Sequence, residues 1–156
     1  MIRASLLRIL LSSLSIASTA ATASVGNAQT TTPATGWARA GTQGDFVVTD
    51  FTFRSGERLP ALTLHYTTLG TPQRDAGGVV RNAVMILHGT GGTGRSFLST
   101  AYAGELFAPG KLLDSAKYFI VLPDGIGHGG SSKPSDGLHA RFPKYTYDDM
   151  VTAQHR

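Results

Sequence analysis

The chain has 156 residues, with 14 Lys and Arg against 10 Asp and Glu, a formal charge of +4, and no cysteine. The missing cysteine excludes disulfides, thiolate metal sites and a cysteine nucleophile together. No run of Lys or Arg marks a nucleic-acid or anionic-membrane partner.

The first residues read as a leader rather than as fold. Arg3 and Arg8 make a positive start, Ile9 to Ala17 is a short apolar stretch interrupted by serines, and small residues follow to Ala28. The pattern is that of a signal peptide with cleavage after Ala28, which implies a periplasmic or secreted product. The apolar stretch is too short and too rich in serine for a stable membrane anchor, which needs about 20 apolar residues. Without Arg3 and Arg8 the net charge falls from +4 to +2. The chain thus divides into a signal peptide at 1–28, a flexible lead-in at 29–44 and a partial α/β domain at 45–156.

Asp45 to Phe53 is rich in β-branched and aromatic residues and ends at the turn signal Ser55-Gly56. Leu59 to Leu69 alternates Leu62, Leu64 and Tyr66 against Thr63, His65 and Thr67. These two runs predict an antiparallel hairpin with one wet face. Ala83 to Leu87 is a continuous apolar run, the pattern of a strand covered on both faces, and it stops at His88. Four glycines then fall within the six positions 89–94. Ser96 to Phe107 predicts a helix, stopped by Ala108-Pro-Gly110. Tyr118 to Leu122 is a second buried strand, and 125–135 is a second glycine- and serine-rich loop. Strand, loop, helix, strand and loop in this order make a βαβ unit with both loops at one edge of a parallel sheet. Thr146 is an N-cap candidate with Asp148 and Asp149 in the first turn, and Tyr145 and Met150 have the spacing of a hydrophobic staple. That helix has little room before Arg156 and no C-cap signal follows it, so the pattern reads as cut.

The first glycine loop admits three readings. Gly89-Thr-Gly-Gly-Thr-Gly94 matches G-x-G-x-x-G, and 89–96 approaches a P-loop with Arg95 in place of lysine. A nucleotide site would use the loop amides to cradle phosphate, but Arg does not replace the compact P-loop lysine. The acid expected about 20 residues on in a dinucleotide site is replaced by Asp124, about 30 on. The second reading is an oxyanion loop: a strand ending in His-Gly aims backbone N–H groups at a developing negative charge, with Thr90 and then Gly91 as the donors. The third is a tight turn with no ligand. His88 reads as a buried residue bracing this loop, and His65 and His139 as surface residues. Asp124 with His128 is too few ligands for a metal site and reads as loop-tying. Ser131 and Ser132 invite a nucleophile reading, but no G-x-S-x-G occurs in the chain. No metal or cofactor is expected, and oligomeric state is not legible.

Leu62-Thr-Leu-His-Tyr-Thr-Thr-Leu-Gly70, the His88-Gly-Thr-Gly-Gly92 loop, Ala108-Pro-Gly-Lys-Leu-Leu-Asp114 and Phe142-Pro-Lys-Tyr-Thr-Tyr-Asp-Asp-Met-Val-Thr-Ala-Gln154 resemble the homoserine O-acetyltransferase-type α/β-hydrolases. The resemblance runs from Asp45 to Arg156. It implies the N-terminal part of an α/β-hydrolase fold, an antiparallel hairpin leading into parallel strands, truncated before the nucleophile elbow. It further implies that the serine nucleophile, its acid and its histidine lie beyond Arg156. The chain departs from the family at Pro123-Asp124 and Gly127-His-Gly-Gly-Ser131, where the family carries Pro-Asn and a cysteine-containing loop. A leader also separates the protein from cytoplasmic acetyl-CoA. The expectation is therefore an exported serine-dependent hydrolase of a small ester or acyl substrate, with homoserine O-acetyl transfer and nucleotide binding as alternatives. This chain by itself is expected to be inactive.

Overall fold

The structure is a computed structural model that describes residues 36–156; the leader and its cleavage site lie outside the described residues. A short helix α1 (Trp37–Ala40) precedes the long strands β1 (Thr42–Thr52) and β2 (Arg58–Leu69). There follow β3 (Ala83–Met85), a 3-10 turn at Gly94–Leu98, α2 (Thr100–Leu106), β4 (Phe119–Pro123) and α3 (Tyr147–Gln154). The sheet has the order β1-β2-β4-β3. β1 and β2 are antiparallel, β2 and β4 antiparallel, and β3 and β4 parallel.

The expected hairpin is present, and it begins earlier than the sequence pattern placed it. Thr42 already faces Thr68, and Trp37–Ala40 is helical, so part of the expected lead-in belongs to the fold. Trp37 packs edge-on against Phe107, with ring centroids 6.3 Å apart. That contact ties the segment to the core.

β2 does not keep one face wet. Leu62 and Leu64 are buried in one cluster with Phe51, Phe53, Ile126 and Phe142. Leu69 is buried in another, with Leu98, Ala103, Phe107, Ile120 and Leu122. Successive strand residues point to opposite faces, so an even and an odd set, both buried, mean that both faces are covered. Thr67, expected on the wet side, is 1% exposed because Gly41 and the 3-10 turn pack over that end. The other change of face lies at the opposite end, where the register skips Asp50 opposite Pro60. Pro60 has no N–H to give the ladder, and Asp50 takes a left-handed φ of 51°. Leu59 and Leu62, three apart, are consequently both buried.

β3 differs most from its expected form. It spans Ala83–Met85 rather than Ala83–Leu87, and Met85 and Leu87 are half exposed. The cause is position: β3 is the sheet edge next to β4, and nothing among the described residues covers its outer side. The expected helix at 96–107 is divided into the 3-10 turn and α2. Asp114 anchors the turn that follows α2. It accepts the N–H groups of Gly110 and Ala116 at 2.8 and 2.9 Å, which hold its carboxyl below the usual range.

α3 starts where its cap signals place it. Asp149 accepts the Thr146 N–H at 2.8 Å and the Thr146 hydroxyl at 3.0 Å. It also takes the Arg54 N–H at 2.7 Å, so one buried carboxylate joins the helix to the hairpin turn. Burial pushes this carboxyl up, but those hydrogen bonds and the nearby Arg54 charge outweigh burial and leave it below its ordinary value. Tyr145 and Met150, the staple pair, both pack on the first core cluster. Among the described residues no helix is long and apolar enough to cross a membrane.

Candidate active site

β3 and β4 run parallel, so their carboxyl ends deliver both glycine loops to one edge of the sheet. That edge is where ligands bind in open α/β sheets. A cleft of about 540 Å³ opens there, lined by His88, Gly89, Thr90 and His128 on the loop side and by Tyr145, Thr146, Tyr147 and Met150 of α3 and its approach.

The oxyanion candidates Thr90 and Gly91 lie in a tight turn. Gly92 donates its N–H to Gly89 O at 3.0 Å. Gly91 has φ 79°, the sign a type II turn requires at its third residue and one that glycine tolerates best. Among the described residues no acceptor receives the N–H of Thr90 or Gly91. Both residues are exposed. The turn therefore holds two exposed amides without partners, and Thr90 itself lines the cleft.

His88 is half-buried rather than buried, and it braces the loops. Gly125 N–H donates to Nε2 at 2.9 Å, and Nδ1 lies 2.9 Å from Gly89 O. An N–H can only donate and a carbonyl can only accept, so the proton sits on Nδ1 and the imidazole is neutral. Both nitrogens are committed, which leaves His88 no lone pair for general-base work.

Asp124 ties the two loops from below. It is 3% exposed; Oδ1 accepts the Gly94 N–H at 2.7 Å and Oδ2 the Gly130 N–H at 2.8 Å. Gly94 packs so closely on the Leu122 carbonyl that no Cβ fits. A carboxylate thus occupies the amide that a phosphate cradle would have to use. Ser131 and Ser132 are equally committed. Ser131 Oγ donates to Asp124 O at 2.7 Å and accepts the His65 N–H at 2.9 Å. Ser132 Oγ accepts the Thr63 N–H at 2.9 Å. β4 pairs with β2 only from Tyr66 onward, so these hydroxyls continue its ladder. Among the described residues no hydroxyl is hydrogen-bonded to a histidine ring, and no group of three potential ligands could hold a metal.

His65, expected at the surface, is half-buried against Gly130 and lies 2.6 Å from Asp45 Oδ1. His139 is exposed. The cleft residues on the α3 side were not read as site residues from the sequence. Tyr145 and Met150 were visible only as a staple pair.

A mixed sheet of this order, with parallel strands feeding glycine loops at one edge, defines an α/β-hydrolase fold, and solved structures agree. The homoserine O-acetyltransferase of Staphylococcus aureus superposes with TM-score 0.60 at 26% identity, covering 74% of this chain and 34% of that one. An acetylester hydrolase of Corynebacterium glutamicum gives TM-score 0.61 at 24% identity over 72% of this chain and 31% of its own; at that identity it speaks for the fold alone. No family model matches the chain. Among curated proteins, a probable acyltransferase of Methanothermobacter thermautotrophicus is 36% identical over 110 residues, 70% of this chain and 33% of the relative. A homoserine O-acetyltransferase of Leifsonia xyli is 33% identical over 120 residues, 67% and 28% respectively. The chain is similar to homoserine O-acetyltransferase-like α/β-hydrolases over about two thirds of its own length, and it spans about a third of the length of the curated relatives it matches.

Proposed function

We propose that the protein is a serine-dependent acyl hydrolase of small esters, exported from the cytoplasm. A serine supplied from beyond Arg156 attacks the ester carbonyl, the carbonyl oxygen becomes the oxyanion, and the alkoxide departs as its alcohol. Water then cleaves the acyl-enzyme to the acid and restores the serine. The observation that supports this reading is the pair of amides at Thr90 and Gly91, left without partners in the turn whose residue Thr90 lines the cleft; an oxyanion is the ligand such amides would take. The relatives named acyltransferase and homoserine O-acetyltransferase support acyl chemistry in general. Export is inferred from the basic and apolar pattern up to Ala28, and it favours water over homoserine as acceptor.

The test is labelling of the full-length protein by a fluorophosphonate, with a panel of p-nitrophenyl esters and acetyl-CoA plus homoserine as competing assays. Labelling together with ester turnover is the expected result. Transfer from acetyl-CoA at a rate above hydrolysis would replace hydrolase by acyltransferase. Tight nucleotide binding by calorimetry, without labelling, would favour a phosphate cradle, which the Asp124 contact to Gly94 argues against. Residues 29–156 alone are expected not to hydrolyse p-nitrophenyl acetate. N-terminal sequencing of the expressed protein checks the leader: a mature product starting at Met1 would contradict export.

A further inference from the structure

We infer that His128 is a specificity residue of this cleft, and that it selects esters carrying a hydroxyl group near the scissile bond. The inference rests on the acyl-hydrolase reading for its substrate class, and on hydrogen bonding within the cleft wall for the rest.

Of the polar side chains of the wall, the hydroxyls of Thr90, Tyr145 and Tyr147 can each turn to donate or accept, while the others are fixed. His88 uses both ring nitrogens on Gly89 and Gly125. The Thr146 hydroxyl donates to Asp149. Tyr147 is 80% exposed and sits at the rim, and Met150 is apolar. His128 is different. Its Nδ1 lies 3.2 Å from Ile126 O, and a carbonyl can only accept, so Nδ1 carries a proton, and in the neutral ring Nε2 is left as the acceptor. The ring is held edge-on against His88, with centroids 5.1 Å apart and planes at 61°. It is thus fixed by one hydrogen bond and one ring contact, half-buried, and without a protein partner for Nε2 among the described residues. An acceptor lone pair held in one direction on an uncharged wall is filled best by a neutral donor such as a hydroxyl. The described wall carries no Lys, Arg, Asp or Glu, so nothing on it would match the carboxylate and ammonium of an amino-acid acceptor.

Two isosteric ketones test this without requiring turnover: 4-hydroxy-2-butanone and 2-pentanone, titrated into the full-length protein by NMR at pH 8. The hydroxyketone is expected to bind about tenfold more tightly, the value of one hydrogen bond. His128→Leu should bring the ratio of the two affinities to about one, and His128→Gln, which retains an acceptor, should keep most of the preference. The matching esters, ethylene glycol monoacetate and propyl acetate, should show the same ratio in KM with kcat little altered. Equal binding of the two ketones by the native protein would overturn the assignment. So would a His128→Leu variant that loses both ligands together, because that marks a structural role. Selectivity without fluorophosphonate labelling would overturn the hydrolase reading and leave the His128 assignment standing. Labelling without selectivity would do the reverse.

Discussion

The two glycine-rich loops at the top of the sheet, 89–94 and 125–132, have similar composition but differ in where their open amides fall: three in a row at 89–91 in the first, and only the separated Ile126 and Gly129 in the second. In the second, Gly125, Gly127, His128, Gly130, Ser131 and Ser132 give their N–H groups to named acceptors. The Ser131 and Ser132 hydroxyls are bound as well. In the first, Gly92 closes a turn, Thr93 binds Ser96 and Gly94 binds Asp124, while Gly89, Thr90 and Gly91 are left open. Glycine therefore does two separate jobs here. After β4 it lets backbone close around a buried carboxylate; after β3 it lets a turn hold amides outward. An anion site needs the second state, and it gains from the first, which keeps the turn from relaxing to bury its own donors.

The largest expected effect comes from the same substitution made in each loop. A methyl at Gly129 would overlap the Asp124 carboxylate, and the residue sits at φ 51°. Gly129→Ala should cost about 3 kcal/mol or more in urea denaturation of the full chain. Gly89 has open space around its Cβ position, so Gly89→Ala should change stability by less than about 0.5 kcal/mol. Equal costs would erase the distinction between the loops.

Next in size is Asp124→Asn. The amide supplies one acceptor where two N–H groups converge, so one of Gly94 and Gly130 faces a donor. A loss of about 2–4 kcal/mol is expected by the same measurement. A neutral result would mean that the two loops are not held by this carboxylate.

A smaller effect sharpens the comparison from outside the loops. Asp149 holds α3, the far wall of the cleft, to the hairpin turn, and its folded carboxyl lies below the ordinary Asp value of 3.8. Its contribution is then present above about pH 4 and is lost as pH falls through the folded value. Unfolding free energy measured from pH 6 downward should decline in that window, and Asp149→Asn should flatten the decline. An unchanged profile would remove Asp149 from the account.

Much of this was legible in the chain because local patterning and tertiary structure agree. Alternation in 59–69 marked the hairpin, continuous apolar runs at 83–87 and 118–122 marked the parallel strands, and Thr146 with Asp149 marked the start of α3. The misreadings arose where neighbours decide. Thr67 is polar, yet Gly41 and the 3-10 turn cover it. Leu87 is apolar, yet β3 is an edge. Asp124 could be read as loop-tying from its place between a buried strand and six glycines and serines, although its partner Gly94 could not be named. The α3 side of the cleft was invisible, since Tyr145 and Met150 reach it through packing that no local pattern encodes.

The central claim is that Thr90 and Gly91 offer open amides to the oxyanion and that Asp124 ties the two loops. The most direct measurement is a crystal structure of the full-length protein after reaction with a fluorophosphonate. The phosphonyl oxygen is expected within hydrogen-bond distance of the Thr90 N–H, with Gly94 and Gly130 still bound to Asp124. An adduct on Ser131 or Ser132, or a phosphonyl oxygen held away from Thr90 and Gly91, would contradict it.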